Sequence, residues 1–172
     1  IGVLEFKDSA TTGWPKRARK DQELFDRLIA LGVPKANLTL LLDSEATRAS
    51  ILKAVGESVE GVRKGDTLIF YYAGHGSKDG EGKPYLIPWD AQPRDPAGSA
   101  VGIAEIAGLL GKARGINLLL LADCCYSGAL QQVAKAAREA GNRAVAITSA
   151  AASNTSTDTR AYSMTVPDAL AR

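Results

Sequence analysis

Apolar runs alternate along the chain with stretches in which apolar residues recur at helical spacing. The two strongest runs are 67–73, rich in β-branched and aromatic residues, and 116–122, which is almost wholly aliphatic. Apolar positions recur at helical spacing in 20–31, 103–110 and 130–140. Because strands that alternate with helices and read as continuous apolar runs are typical of parallel sheets, we expect an α/β fold. Its central sheet should be mostly parallel and covered by helices on both faces.

Weaker patterns complete the predicted order of elements. The segment from Gly74 to Pro84 is dense in Gly, Lys and Asp and is predicted to be a solvated surface loop. The additional predicted strands are 1–6, 38–42, 85–87 and 144–148, and additional helices are predicted to begin at Thr47 and Val166.

The length of 172 residues fits one domain with one hydrophobic core, so we predict a single domain over 1–172. The chain opens on Ile1-Gly2-Val3, which has no features of a signal peptide and reads like a strand entered partway along. We therefore expect a piece of a longer product, truncated at both ends. The longest apolar stretch, 118–122, is far shorter than the roughly 20 residues that span a bilayer, so no membrane association is expected.

Charge and cysteine usage exclude several kinds of function. Lys and Arg number 21 against 19 Asp and Glu, and this net charge of +2 gives no support for a nucleic-acid binder. The chain has one histidine, His75, and two adjacent cysteines, Cys124 and Cys125. These residues cannot supply a four-ligand zinc site or a disulfide framework, so we expect no metal, a reducing compartment and a cytoplasmic location.

The histidine and the cysteines follow the two strongest predicted strands. His75 lies two residues after the strand that ends at Ala73, and Cys125 lies three residues after the strand that ends at Ala122. In parallel sheets the carboxyl ends of the strands meet at one edge, where ligands bind. An imidazole that takes the proton of a thiol makes that thiol a nucleophile, so the pattern indicates a candidate cysteine–histidine site.

Two motifs resemble the signatures of a known family. Tyr71–Gly76 (YYAGHG) and Asp123–Gly128 (DCCYSG) are similar to the His and Cys motifs of the caspase-like cysteine peptidases, in the metacaspase and prokaryotic orthocaspase branch of peptidase family C14. The His precedes the Cys by 125 − 75 = 50 residues, a separation typical of caspases. The resemblance implies a caspase-like three-layer α-β-α sandwich. It extends to the segments 1–3, 41–43, 46–48, 86–90 and 147–150.

The resemblance also implies a role for each site residue. Cys125 corresponds to the nucleophile, His75 to the catalytic histidine, and the backbone N–H groups of Gly76 and Cys125 to the oxyanion hole. Asp123 corresponds to an acidic residue that binds Arg or Lys at P1, the substrate residue before the cleaved bond. Asp43 matches a second acidic residue of the same pocket, although a turn residue or helix cap would look the same in sequence.

Three departures from the family pattern affect these expectations. Ala73 stands where a serine is usual, and Tyr126 replaces the commoner histidine after the nucleophile. The segment from Gly98 to Glu105 lacks the aspartate pair of calcium-dependent members, so we expect no calcium requirement and no other cofactor.

The resulting hypothesis is a monomeric cysteine endopeptidase that acts on proteins or peptides with a basic P1 residue. The alternative is a non-catalytic caspase-like regulatory or scaffold domain, which would have no need of His75 and Cys125. A serine hydrolase based on Ser127 lacks a nucleophile-elbow pattern. The basic cluster 16–20 fits either an exposed face or a self-processing site.

Overall fold

Three parallel strands form the centre of the computed structural model, which describes residues 1–16 and 19–151. The strand order is β1 (Thr67–Ala73), β5 (Asn117–Asp123) and β6 (Arg143–Thr148). Ala73 pairs with Asp123 at the carboxyl end of the sheet. The α/β prediction is confirmed, and β1 has the predicted bounds.

Two extended segments widen this sheet beyond β1. Gly2 bridges both Ala73 and Leu42, each in parallel orientation. The predicted strands 1–6 and 38–42 are therefore wrong in length, since each contributes only one bridging residue, Gly2 and Leu42 respectively. The first one ends early because the backbone N–H groups of Leu4 and Glu5 donate to the side chain of Asp43 and not to a neighbouring strand.

Helices cover both faces of the sheet, as the predicted three-layer sandwich requires. Leu24 of the first helix packs against Tyr71, Ala73 and Leu121, and we call this side the α1 face. The other face, the main-core face, carries Tyr72 and packs on the second, fourth and fifth helices. The helices are α1 (Lys20–Ala30), α2 (Arg48–Gly61), α3 (Pro96–Ser99), α4 (Ile103–Leu110) and α5 (Leu130–Glu139).

A small antiparallel sheet adjoins the carboxyl end of β1. It contains β2 (Gly76–Lys78), β3 (Pro84–Leu86) and β4 (Val101–Gly102), in that order. The segment 74–84, predicted to be a solvated surface loop, therefore contains strand residues at 76–78 and at Pro84, and the loop is limited to the turn between them. The turn between β2 and β3 is organised by Asp79, whose carboxylate accepts from two backbone N–H groups and from the hydroxyl of Tyr85.

None of the helices in the described part of the chain is long and apolar enough to cross a membrane. The helix predicted to begin at Val166, and part of the basic cluster 16–20, lie outside the described residues.

Candidate active site

The loops that follow β1 and β5 lie against each other at the carboxyl edge of the sheet. His75 and Cys125 each come two residues after the paired positions Ala73 and Asp123. The N–H of Gly74 donates to the carbonyl of Asp123 over 3.3 Å. The α-carbon of Gly76 lies so close to Cys125 that a Cβ built there would meet the Cys125 carbonyl oxygen at 1.9 Å. The fold therefore brings the histidine loop and the cysteine loop into direct backbone contact.

The two adjacent cysteines occupy different environments. Cys124 is 1% exposed and belongs to the main core, together with Tyr72 and Ala122. Cys125 is partly exposed. Since a nucleophile must reach a substrate, the surroundings of Cys125 suit that role better than those of Cys124.

Tyr126 makes the turn that leads from the cysteine loop into a short 3-10 helix (Ser127–Ala129) and then α5. Its backbone is left-handed, with φ 57°, a conformation that costs a non-glycine residue roughly 1–3 kcal/mol. The ammonium group of Lys78 lies 5.1 Å from the centre of the Tyr126 ring, within the range of a cation–π contact. This contact links the residue after Cys125 to β2, the strand that begins at Gly76.

The imidazole of His75 is held by the loop that precedes α1. Its Nε2 lies 2.7 Å from the carbonyl oxygen of Thr12. A carbonyl oxygen can only accept, so Nε2 carries a hydrogen and, in the neutral ring, Nδ1 is left as the acceptor. The ring of Trp14 lies 4.2 Å from that of His75 between centroids, and the ring of Phe6 lies 5.2 Å away.

No sequence motif had indicated these three partners of His75. They come from an irregular segment some 60 residues upstream, and one of them acts through its main chain. The one sequence feature that could have indicated a partner for His75 is the aromatic residue Trp14 in an otherwise polar loop.

The predicted specificity residue Asp123 is buried at the end of β5, only 3% exposed. Its strand neighbours Ala73 and Leu121 face α1. On the same side, the carboxylate of Asp21 lies over the α-carbon of Gly2, where a Cβ would meet its Oδ2 at 1.4 Å. Asp21 and Asp123 are therefore two buried carboxylates on the α1 face, separated by the strand position of Ala73.

Asp21 was not among the residues that the sequence pointed to. An acidic residue three positions before the buried Leu24, on the side of α1 that faces the sheet, was the available signal.

Asp43 has partners within the chain for both of its carboxylate oxygens. Oδ1 accepts from the N–H groups of Leu4 (2.8 Å) and Glu5 (3.0 Å), and Oδ2 pairs with the guanidinium of Arg19. Arg19 also pairs with Asp21 at 2.8 Å and donates to the carbonyl of Gly2 at 3.2 Å. A substrate cation would have to displace Arg19 to reach Asp43.

Within residues 1–16 and 19–151, no group of three or more His, Cys, Asp or Glu side chains is arranged to hold a metal ion. The expected calcium independence stays a prediction.

Comparison with known proteins places these residues in a family. The family model described as metacaspase, peptidase C14 domain, matches residues 21–134, which is more than half of the chain and includes His75 and Cys125. The comparison with curated proteins finds no match. Among solved structures, the chain is similar to the crystal structure of a protein from Geobacter sulfurreducens, with 28% identity and a TM-score of 0.43 over 51% of this chain. It spans 33% of that protein's length.

Proposed function

Because the chain belongs to the metacaspase family of C14 peptidase domains, we propose that it is a cysteine endopeptidase that cleaves proteins after Arg or Lys. The observation that carries the proposal is the contact between the His75 and Cys125 loops, with Cys125 accessible and Cys124 sealed in the core. We propose further that it acts in the cytoplasm as a monomer and without a metal or other cofactor.

In the proposed catalytic dyad of Cys125 and His75, the hydrogen bond between His75 and Thr12 determines which imidazole nitrogen is available to accept a proton. With Nε2–H donated to the Thr12 carbonyl, Nδ1 accepts the proton of the Cys125 thiol. The thiolate attacks the scissile carbonyl carbon, and the imidazolium then gives its proton to the leaving amine. Water, deprotonated by the same imidazole, hydrolyses the thioester and regenerates the thiol.

The negative charge that develops on the oxygen of the scissile carbonyl must be stabilised by hydrogen-bond donors. The backbone N–H groups of Gly76 and Cys125 are proposed for this role. The close approach of the Gly76 α-carbon to the Cys125 carbonyl supports the proposal, because it keeps the two backbones adjacent.

The buried carboxylates on the α1 face support the preference for a basic P1 residue. Asp123 lies two residues before the nucleophile and is proposed to bind the substrate guanidinium or ammonium group. Asp21, on α1, lies over Gly2 on the same side of the sheet and shares the single guanidinium of Arg19 with Asp43, so these three side chains keep one net negative charge there. Asp43 is proposed to act indirectly, by holding Arg19, which in turn holds Asp21.

The proposal is tested with fluorogenic peptides that carry Arg, Lys or Asp at P1. Wild type is compared with Cys125→Ala and with the matched control Cys124→Ala, each checked for folding by thermal melting. We expect cleavage after Arg and Lys that falls by about 1000-fold or more in Cys125→Ala. Cys124→Ala should stay active, at some cost in stability.

Two outcomes would contradict the proposal. If a folded Cys124→Ala lost activity while Cys125→Ala retained it, the nucleophile would be Cys124 and not Cys125. A folded wild-type chain that cleaves none of the peptides would favour the non-catalytic regulatory domain.

A further inference from the structure

The hydroxyl of Tyr72 lies beneath the turn that carries His75. Tyr72 is the next-to-last residue of β1, is fully buried, and packs its ring in the main core. Its hydroxyl oxygen lies 2.8 Å from the carbonyl oxygen of His75 and 2.8 Å from that of Ile87. Both partners are acceptors, so the single hydroxyl proton is shared between them.

Further contacts of this turn converge on the same phenol. The N–H of Ile87 donates to the carbonyl of His75 over 3.0 Å, so that carbonyl receives two donors. The α-carbon of Gly74 lies directly over the ring, where a Cβ would meet the Tyr72 hydroxyl at 2.5 Å. The backbone of Gly74 and the carbonyl of His75 thus both contact the buried side chain of Tyr72.

We propose that Tyr72 is a positioning residue for His75. The inference rests on the proposed function and deepens it. By holding the His75 carbonyl, the Tyr72 hydroxyl fixes the backbone from which the imidazole projects. It thereby keeps the imidazole hydrogen-bonded to the Thr12 carbonyl and the His75 loop against the cysteine loop.

The substitution that isolates this role is Tyr72→Phe, since it keeps the buried ring and removes only the hydroxyl. His75 acts in the chemical step, whereas the P1 side chain is bound by other residues. We therefore expect kcat to fall by roughly 10- to 100-fold with KM unchanged, because displacements on the order of 1 Å cost about this much in rate. The matched control is Tyr71→Phe, which removes the same group from the adjacent residue on the α1 face.

A second readout does not depend on activity. In nitrogen-15 NMR spectra, the Nε2–H of His75 should be protected from exchange in wild type by its bond to Thr12, and less protected in Tyr72→Phe. A second variant, Gly74→Ala, forces a methyl group against the Tyr72 hydroxyl and should lower kcat and the protection in the same way.

The possible results separate this inference from the proposed function. An inactive wild type would refute the peptidase but leave the Nε2–H protection to decide the role of Tyr72. A folded Tyr72→Phe with wild-type kcat and wild-type protection would overturn the inference. A Tyr72→Phe chain that fails to fold would also overturn it, since the hydroxyl would then be structural.

Discussion

At the scale of single residues, the site depends on how closely two backbones approach. Gly76 has no side chain, and this absence lets β2 begin against the carbonyl of Cys125. The Sγ of Cys124 would lie 3.3 Å from a Cβ at this position, so the buried cysteine fills the space on the other side.

Gly76→Ala tests this contact directly. The added methyl would lie 1.9 Å from a backbone oxygen that cannot rotate away, so the two loops must separate. We expect peptide cleavage to fall by about 100-fold or more, because both the dyad and the oxyanion donors are displaced. Gly80→Ala, in the same hairpin with open space around its α-carbon, is the matched control and should retain wild-type rates. Equal activity of the two variants would show that the contact is unimportant.

Asp123→Asn tests the acidic pocket, since it removes the charge and keeps the shape. Loss of one partner from a desolvated charge pair typically costs 2–5 kcal/mol, so kcat/KM for Arg at P1 should drop on the order of 100-fold. Asp43→Asn should have a smaller effect, since Asp43 is paired with Arg19. The kcat/KM values of the two variants are compared. A larger loss in Asp43→Asn would indicate that Asp43, and not Asp123, binds the P1 side chain.

The residues that sequence indicated and those it missed differ in a physical way. His75 and Cys125 could be predicted to lie on neighbouring loops because strand ends in a parallel sheet share an edge, and the strand positions two residues before them, Ala73 and Asp123, pair in register. Thr12 contacts His75 through its backbone carbonyl, a group that every residue has, so the identity of the residue gives no indication of this contact. The rings of Phe6 and Trp14, which lie on either side of Thr12 in the chain, contact the imidazole of His75, and such contacts between distant segments are not visible in a local pattern.

At the scale of elements, a cluster of charges ties α1 to the edge of the sheet. Arg19 precedes the helix and joins Asp21, on α1, to Asp43, which follows the extended segment beside Gly2. Asp43 has a left-handed backbone, with φ 45°, and its carboxylate also accepts from two N–H groups of the first segment. The cluster therefore holds three separate parts of the chain in place.

Arg19→Ala should destabilise the fold by about 3–5 kcal/mol, because it leaves the buried carboxylate of Asp21 without its cation. Urea denaturation measures the free energy of unfolding. A second substitution, Asp21→Asn, added to Arg19→Ala should recover part of the loss, since the uncompensated charge is gone. Arg27→Ala, in the last turn of the same helix, is the control. A loss below 1 kcal/mol in Arg19→Ala would mean that solvent replaces the guanidinium freely.

The turn between β2 and β3 should respond to acid through Asp79. The backbone N–H of Lys83, together with the hydroxyl of Tyr85 and the N–H of Glu81, lowers the pKa of Asp79 below its usual value near 3.8. A lowered carboxyl pKa favours the folded turn above the unfolded value, and this contribution is lost as pH falls through the folded pKa. NMR titration should give an Asp79 midpoint below 3.8, whereas a midpoint at or above it would contradict the hydrogen-bonded turn. The same contact raises the pKa of Tyr85.

The elements that sequence predicted poorly are those that depend on a partner. Residues 76–78 (Gly-Ser-Lys) have no intrinsic preference for a strand, and β2 forms because Tyr85 and its neighbours pair with it. In contrast, β1 and α4 have the predicted bounds, because a long apolar run or a clear helical periodicity specifies an element locally.

At the scale of the whole molecule, residues 1–16 and 19–151 cover the two faces of the sheet to different extents. The main-core face packs on three helices, whereas α1 covers the opposite face mainly over β1 and β5. On that second face Val145 and Ile147 are 56% and 44% exposed. The candidate site lies at the carboxyl edge between these layers, where Cys124 is anchored in one face and Asp123 lies on the other.

The role of Cys125 as nucleophile is tested by covalent labelling with a peptidyl acyloxymethyl ketone that carries Arg at P1, with the modified residue mapped by mass spectrometry. We expect one label per chain on the Sγ of Cys125, abolished in His75→Ala and reduced in Asp123→Asn. Labelling of Cys124, or labelling of Cys125 at an unchanged rate in His75→Ala, would contradict a site built from the His75 and Cys125 loops.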